Sequence, residues 1–321
     1  MTDRDYVVKA ADAGFGKVSL LQEDPLRYML RAVGAGMGLT IVVFTFWVLK
    51  QNLHDISMGA VIASGFFGVG LMIIVFTNTE LFTSNNMYLT ISSAEGRTSW
   101  RQATLLWISC YFGNLAGAIL VALLLFGAGS LTQLPPEHAL FDGALYKAQQ
   151  AGSVIFFKGV LANWIVCLAV RIALRCKEEI AKILVLILVV FIFVYLGFEH
   201  SIANMGTFSM AILGGRALTV SDALHNLLYE MWSREFYLLA CLSRISIHAS
   251  VKSRCRGPSL WTRHPELRGD QPAKWIRPSF CVATILRTEC SLWVKSGHHA
   301  QPLSIWRDWK NYGRALRHNL R

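Results

Sequence analysis

Long apolar runs alternate with short polar connections over the first two-thirds of the chain. The apolar stretches cover Ala32–Leu49, Met58–Phe82, Ala103–Phe126, Val154–Leu174 and Ile183–Phe198, with a further piece from Ile202 to Leu213. Runs of about 18–20 residues match the thickness of a bilayer's hydrocarbon core when coiled as a helix. A helix also satisfies its backbone polar groups internally, as hydrocarbon demands. The pattern predicts an all-α membrane protein with five clear spans and a sixth apolar piece.

Two of these runs end alike. The second meets Glu80-Leu81-Phe82-Thr83-Ser84-Asn85-Asn86-Met87, and the fifth meets Glu199-His200-Ser201-Ile202-Ala203-Asn204-Met205. Each apolar helix enters a Glu/Ser/Asn cluster ending in Asn-Met and then resumes. Such polar residues at membrane depth are costly unless they face a cavity or one another. A single cluster reads equally well as an ordinary helix end at the membrane surface. Two at matching positions predict an inverted repeat, spans one to three against spans four to six, with helices two and five broken. Interrupted helices in corresponding halves point to a transport site at the repeat interface.

Charge changes the picture in two ways. Residues 1–230 hold 15 Lys+Arg and 15 Asp+Glu, whereas residues 231–321 hold 16 basic and 5 acidic residues, the whole net charge of +11. The chain therefore divides at about residue 230 into a neutral membrane body and a basic, irregular tail. Within the body, Arg27, Arg31, Arg97, Arg101, Arg171, Arg175, Lys177 and Lys182 cluster on one side of the spans, against Lys50 and Lys147 on the other. The positive-inside rule makes the N-terminus cytoplasmic, in an integral protein of the plasma (cell inner) membrane. Met1–Asp24 carries charges of both signs and no apolar core, so it does not read as a signal peptide. Cys110, Cys167 and Cys176 are isolated and fit no disulfide framework.

Four segments in order carry a family resemblance. They are Glu80–Met87 with Ala94-Glu95-Gly96-Arg97; Tyr111-Phe112-Gly113-Asn114-Leu115-Ala116-Gly117; Lys158-Gly159-Val160-Leu161-Ala162-Asn163-Trp164 through Ala169; and Gly197–Met205. From about Tyr6 to Tyr229 the chain resembles the formate/nitrite transporter family. The resemblance implies a homopentamer of aquaporin-like protomers, each with six spans and its own pore. It implies passage of formate, nitrite, hydrosulfide or lactate, often with a proton. It implies no cofactor.

An anion in an apolar constriction faces a Born barrier of several kcal/mol or more. A fixed positive field, hydrogen-bond donors, or a proton that neutralises the anion each lower it. Lys158, near the start of span four, is the candidate for the field; alone it reads equally as a cation snorkelling to the interface. His200 is the side chain best able to exchange a proton near neutral pH. A lone imidazole in an apolar setting is usually a satisfied core residue, but the resemblance implies a pore-centre position for this one. Thr83 and Ser84 open the short helix after the first break, where hydroxyls and N–H groups favour anions. The resemblance implies that this loop faces His200, which makes Thr83 to His200 the expected gate. Leu81, Phe82 and Phe198 are candidate apolar constrictions, although single apolar residues are more often packing. Asn86, Asn114, Asn163 and Asn204 are expected to tie broken backbone together. Glu80 and Glu199 are expected to bind backbone N–H groups or Asn amides at the breaks.

The tail departs from the family, which needs a sixth span rich in small residues. After Tyr229 the chain reads Glu230-Met231-Trp232-Ser233-Arg234-Glu235. One allowed codon spelling of Met231–Ala240, read one base out of phase, gives Asn-Val-Val-Ala-Gly-Ile-Leu-Leu-Ala, close to Asn114–Leu120. The expectation is a sixth helix disrupted or missing and a tail translated out of frame, so that a pentamer requires the sixth span to be restored. The gene's nucleotides around Tyr229 test this. The tail's four Cys lack the close pairing of zinc sites, and its Arg, Lys and Trp residues fit no nucleic-acid motif.

The reading is a transporter of small monovalent anions, with lipid, protons and the anions as partners. No nucleophile–base pair or metal cluster in the body points to an enzyme. A water or neutral-solute channel leaves Lys158 without a purpose. The alternative of another class is a non-conducting, membrane-anchored protein whose basic tail binds a partner.

Overall fold

The computed structural model describes residues 2–215 and 218–233, and among these every regular element is a helix. The first half holds α1 (Asp3–Glu23), α2 (Pro25–Asn52), α3 (Gly59–Phe67), α4 (Val69–Phe76), α5 (Phe82–Ala94) and α6 (Trp100–Gly127). The second holds α7 (Ala139–Ala148), α8 (Gly152–Arg175), α9 (Glu179–Tyr195), α10 (Ser201–Leu213) and the helical residues 220–233, α11. Each half therefore runs from a leading helix through a long helix to a second apolar stretch. That stretch ends in a break, and a 13-residue helix and a closing helix follow. Among the described residues, four segments are long and apolar enough to cross a membrane: α2, the α3–α4 pair, α6 and α8. At 17 residues, α9 falls just short of that length.

Several boundaries differ from those read in the sequence. Span one begins at Pro25 because Asp24 accepts the Arg27 N–H and Pro25 occupies the first helical turn, which proline's fixed φ favours. Span three begins at Trp100, behind a reciprocal cap between Ser99 and Gln102. Span two is not one helix to Phe82. It steps at Gly68 from α3 to α4 and stops at Phe76, five residues before α5 begins. The leading helices α1 and α7 have no counterpart in the predicted spans, because α1 is too polar for a hydropathy signal and α7, at 10 residues, is too short for one. Residues 230–233 are helical, so α11 runs past Tyr229; the rest of the basic tail, residues 234–321, lies outside the described residues.

The long helices meet through small residues. A Cβ built at Gly36 would run into the Asn114 carbonyl, and one at Gly117 into the Val33 carbonyl, so α2 and α6 pack backbone to backbone. Close approach of this kind replaces the hydrophobic drive that lipid cannot supply. Both α5 and α10 are buried along nearly their whole length. A helix enclosed on all sides needs no polar face, yet these two carry Thr83, Ser84, Asn85, Ser201 and Asn204, all buried. Those residues lead to the site.

Candidate functional site

The first break begins where Thr77 turns its hydroxyl onto the Ile73 carbonyl (2.6 Å) and Asn78 takes a left-handed φ of 53°. Asn tolerates that region better than other non-glycine residues. Leu81 is extended, and the Glu80 N–H donates to the Arg31 carbonyl of α2 (3.2 Å) instead of continuing a helix. Asn114 holds the opened backbone. Its Nδ2 donates to the carbonyls of Ala32 (2.7 Å) and Glu80 (2.9 Å), and its Oδ1 accepts the Phe82 N–H (3.0 Å). The Glu80 carboxylate, 3% exposed, takes Lys17 Nζ at 2.6 Å and Asn85 Nδ2 at 2.9 Å.

The second break repeats the arrangement. Gly197 supplies a φ of 68° and ends the turn after α9, a conformation that costs a residue with a side chain 1 kcal/mol or more. The Glu199 carboxylate, 1% exposed, takes Lys147 Nζ at 2.9 Å, Asn204 Nδ2 at 2.6 Å and Gln150 Nε2 at 2.8 Å. Asn226 of α11 bridges from there, donating to the Lys147 carbonyl and accepting from Asn204, both at 2.9 Å. Each break thus carries a Lys–Glu–Asn triad in which the Asn follows the Glu by five residues.

His200 is the N-cap of α10. Its Nδ1 accepts the Ala203 N–H (3.3 Å), and its Nε2 faces Thr83 Oγ1 of α5 (3.3 Å). A ring nitrogen that accepts an N–H carries no proton of its own. The neutral ring therefore bears its hydrogen on Nε2 and donates it toward Thr83. The ring is 5% exposed and stacks on Phe193, centroids 5.8 Å apart. Phe67 meets Phe193 edge-on at 6.0 Å.

Two cavities flank this point. A narrow apolar one of about 20 Å³ is lined by His200, Leu81, Phe67, Phe193, Leu71 and Val166, among others; that is room for about one water. A polar one of about 210 Å³ lies against α1 and is lined by Lys17, Arg31, Asn78 and Glu80. Glu80 and Leu81 are neighbours in sequence and face one cavity each. Leu81 therefore stands between the polar cavity and the apolar one.

The sequence-predicted residues fall into two groups. Thr83, His200, Leu81, Glu80, Glu199, Asn114 and Asn204 gather at the two breaks. Ser84 sits one residue beyond Thr83, its hydroxyl donating to the Leu81 carbonyl (3.0 Å). Phe82 packs edge-on against Tyr111 and Phe198 is half-buried, and neither lines the narrow cavity; Phe67 and Phe193 do. Asn163 donates to the Gly159 carbonyl within its own helix (2.8 Å) and to Ser233 Oγ of α11 (3.5 Å). The amide that ties the first break is that of Asn85, not of Asn86, because the spacing from Glu and not from Met sets the register. Lys158 donates to Gln150 Oε1 (2.6 Å), which links it to Glu199 only at second hand. Lys147 and Lys17 make the direct contacts. The sequence signal for them was weak, since the pairs lie 52 and 63 residues apart.

Comparison with known proteins places these features in a family. A profile described as "Formate/nitrite transporter" matches residues 4–232. The transporter YwcJ of Bacillus subtilis is 36% identical over 221 residues, 66% of this chain and 84% of that protein. The "Nitrite transporter NirC" of Salmonella typhimurium is 35% identical over 232 residues, 70% of this chain and 84% of that protein. The "Formate channel FocA" of Escherichia coli is 32% identical over 209 residues, 64% of this chain and 72% of that protein. Among solved structures, an "FNT family ion channel" superposes with a TM-score of 0.72 at 29% identity, covering 77% of this chain and 99% of that one. A "Pentameric formate channel with formate bound" gives a TM-score of 0.64 at 25% identity, covering 70% and 97%.

Proposed function

Because this chain belongs to the formate/nitrite transporter family, we propose that it passes small monovalent anions such as formate or nitrite through a pore centred on His200. The observation that carries the reading is the 3.3 Å approach of His200 Nε2 to Thr83 Oγ1 beside an apolar cavity. Two halves of the chain, 117 residues apart in sequence, bring donors to one point.

The path begins at a polar mouth. The Lys–Glu–Asn triad at each break keeps a cation near the opening while its partner carboxylate takes the amide of the Asn downstream. Beyond Leu81 the anion loses its water. There the Nε2–H of His200 and the Thr83 hydroxyl supply donors where solvent has been removed, and fixed donors in a dry site are worth more than the same donors in water. With Nδ1 committed to the cap of α10, the neutral ring offers its Nε2–H as a hydrogen-bond donor and keeps that proton. The anion moves hydrogen-bonded to the ring, and a proton that neutralises it comes from solvent. With the sixth span restored, the protomers assemble as a homopentamer in the plasma membrane with the N-terminus cytoplasmic, in keeping with the pentameric neighbour and the arginines of one side.

Flux into proteoliposomes tests this reading. Wild-type protein is expected to carry formate and nitrite, and His200→Ala to lose that flux. Equal flux in wild-type and empty liposomes would return the chain to the membrane-anchored binding protein, a reading that the family membership disfavours.

A further inference from the structure

Beside each Lys–Glu pair stands a second cation, and the two are not equivalent. Arg31 is the seventh residue of α2, and Lys158 is the seventh residue of α8. The inverted repeat thus makes them mates, as it does Lys17 with Lys147. At the mouth opposite α1, the Lys158 ammonium is already taken. It donates to Gln150 at 2.6 Å and lies 5.7 Å above the Tyr146 ring. At the α1 mouth, Lys17 is taken by Glu80, but the half-buried Arg31 guanidinium has no hydrogen-bond or ion-pair partner among the described residues. It lines the cavity of about 210 Å³ together with Lys17, Asn78 and Glu80. Lys17 and Glu80 cancel, which leaves Arg31 as the uncompensated charge of a space roomy enough for a small anion and several waters.

We propose that Arg31 is an anion-binding residue at the α1 mouth, and that it takes both oxygens of a small two-oxygen anion in its guanidinium fork. The fork matches formate and nitrite, whose oxygens accept side by side, whereas an ammonium offers only a point charge. Its mate Lys158, held by Gln150, offers no such fork, so the two mouths differ in apparent affinity for the same ion. The inference rests on the transport reading above for its purpose, but the binding it describes has a separate readout.

Two measurements on the full chain test it. In membrane vesicles of both orientations, Arg31→Gln is expected to raise the half-saturating formate and nitrite concentrations at the α1 face roughly five- to tenfold. At the opposite face the values stay unchanged. In detergent, formate at fixed ionic strength, with chloride as the control, is expected to raise the unfolding temperature of wild type and not of Arg31→Gln. Arg31→Lys, which keeps the charge, checks that folding is intact and recovers less than half of either effect. An Arg31→Gln variant that saturates like wild type at the α1 face, or that keeps the formate-induced stabilisation, overturns the site while leaving transport standing. Full recovery by Arg31→Lys overturns the two-oxygen fork. Wild-type protein that shows stabilisation without flux keeps the site and overturns the transport reading.

Discussion

The two helix breaks share a frame and differ in what fills it. At Glu80 and at Glu199 a Lys from the half's leading helix and an Asn five residues downstream close on one carboxylate. The next residue decides the chemistry. After Glu80 it is Leu81, which has no side chain able to cap α5, so Asn114 of α6 accepts the Phe82 N–H in its place. After Glu199 it is His200, which caps α10 through Nδ1 and leaves Nε2 facing Thr83 Oγ1. Symmetry supplies the positions, and a single exchange of Leu for His decides whether the residue after the Glu caps the short helix itself.

The largest effect that separates the breaks is expected from removing their cations. Lys17→Met leaves Glu80 buried with only Asn85 as a side-chain partner, whereas Lys147→Met leaves Glu199 with Gln150 and Asn204. Stripping one partner from a buried pair costs about 3–5 kcal/mol. Thermal or denaturant unfolding should put Lys17→Met at the upper end of that range and Lys147→Met at the lower. Equal losses would mean that the two triads are interchangeable.

Next come substitutions at His200. His200→Ala removes both cap and donor, and flux is expected to fall about a hundredfold, the scale of one preorganised donor to an anion. His200→Asn keeps a capping side chain without the Nε2 donor. It should therefore unfold near the wild-type temperature while still losing flux. Restored flux in that variant would assign His200 to capping alone.

The amides rank below. Asn114→Ala frees two carbonyls and one N–H, a loss of about 3 kcal/mol, and Asn226→Ala frees two partners, about 2 kcal/mol. Unfolding curves that reverse this order would show that α11 pins its break more firmly than α6 does.

The smallest contrast lies between the leading helices. Thr2 caps α1 through a hydroxyl that does not titrate in this range. The cap of α7 is His138, whose Nδ1 accepts the Leu140 N–H at 3.1 Å. Burial lowers the His138 pKa below its ordinary 6.5, partly offset by Asp142. The unfolded imidazole then binds its proton at higher pH than the folded one. Its contribution to stability is full above about pH 6.5 and declines as pH falls below it. Unfolding temperatures between pH 7.5 and 5 are expected to show this decline in wild type and less of it in His138→Asn.

Hydropathy read along the chain was enough to put the apolar runs on helices, though not to set their ends, because each apolar run is a local property and lipid allows little else but a helix. The paired Glu/Asn clusters exposed the repeat for the same reason. The register within a cluster was not legible: Asn85 and Asn86 look alike in sequence, and only the fold shows that the amide at the first reaches Glu80. The aromatics of the narrow cavity were equally hidden, since Phe193 and Phe67 come from two helices that meet edge to edge, while Phe82 and Phe198 sat nearer the motifs.

By itself, then, the sequence determined the helical membrane body, its two interrupted helices and the imidazole placed after one of them. Those follow from hydrophobic periodicity and from what a bilayer will tolerate. Tertiary structure alone decided that Lys17 and Lys147 close on the broken turns, that Nδ1 is spent on a cap so that Nε2 faces Thr83, and that Arg31 stands open where Lys158 is held. Contacts between residues dozens of positions apart depend on how helices cross, and no local pattern encodes a crossing.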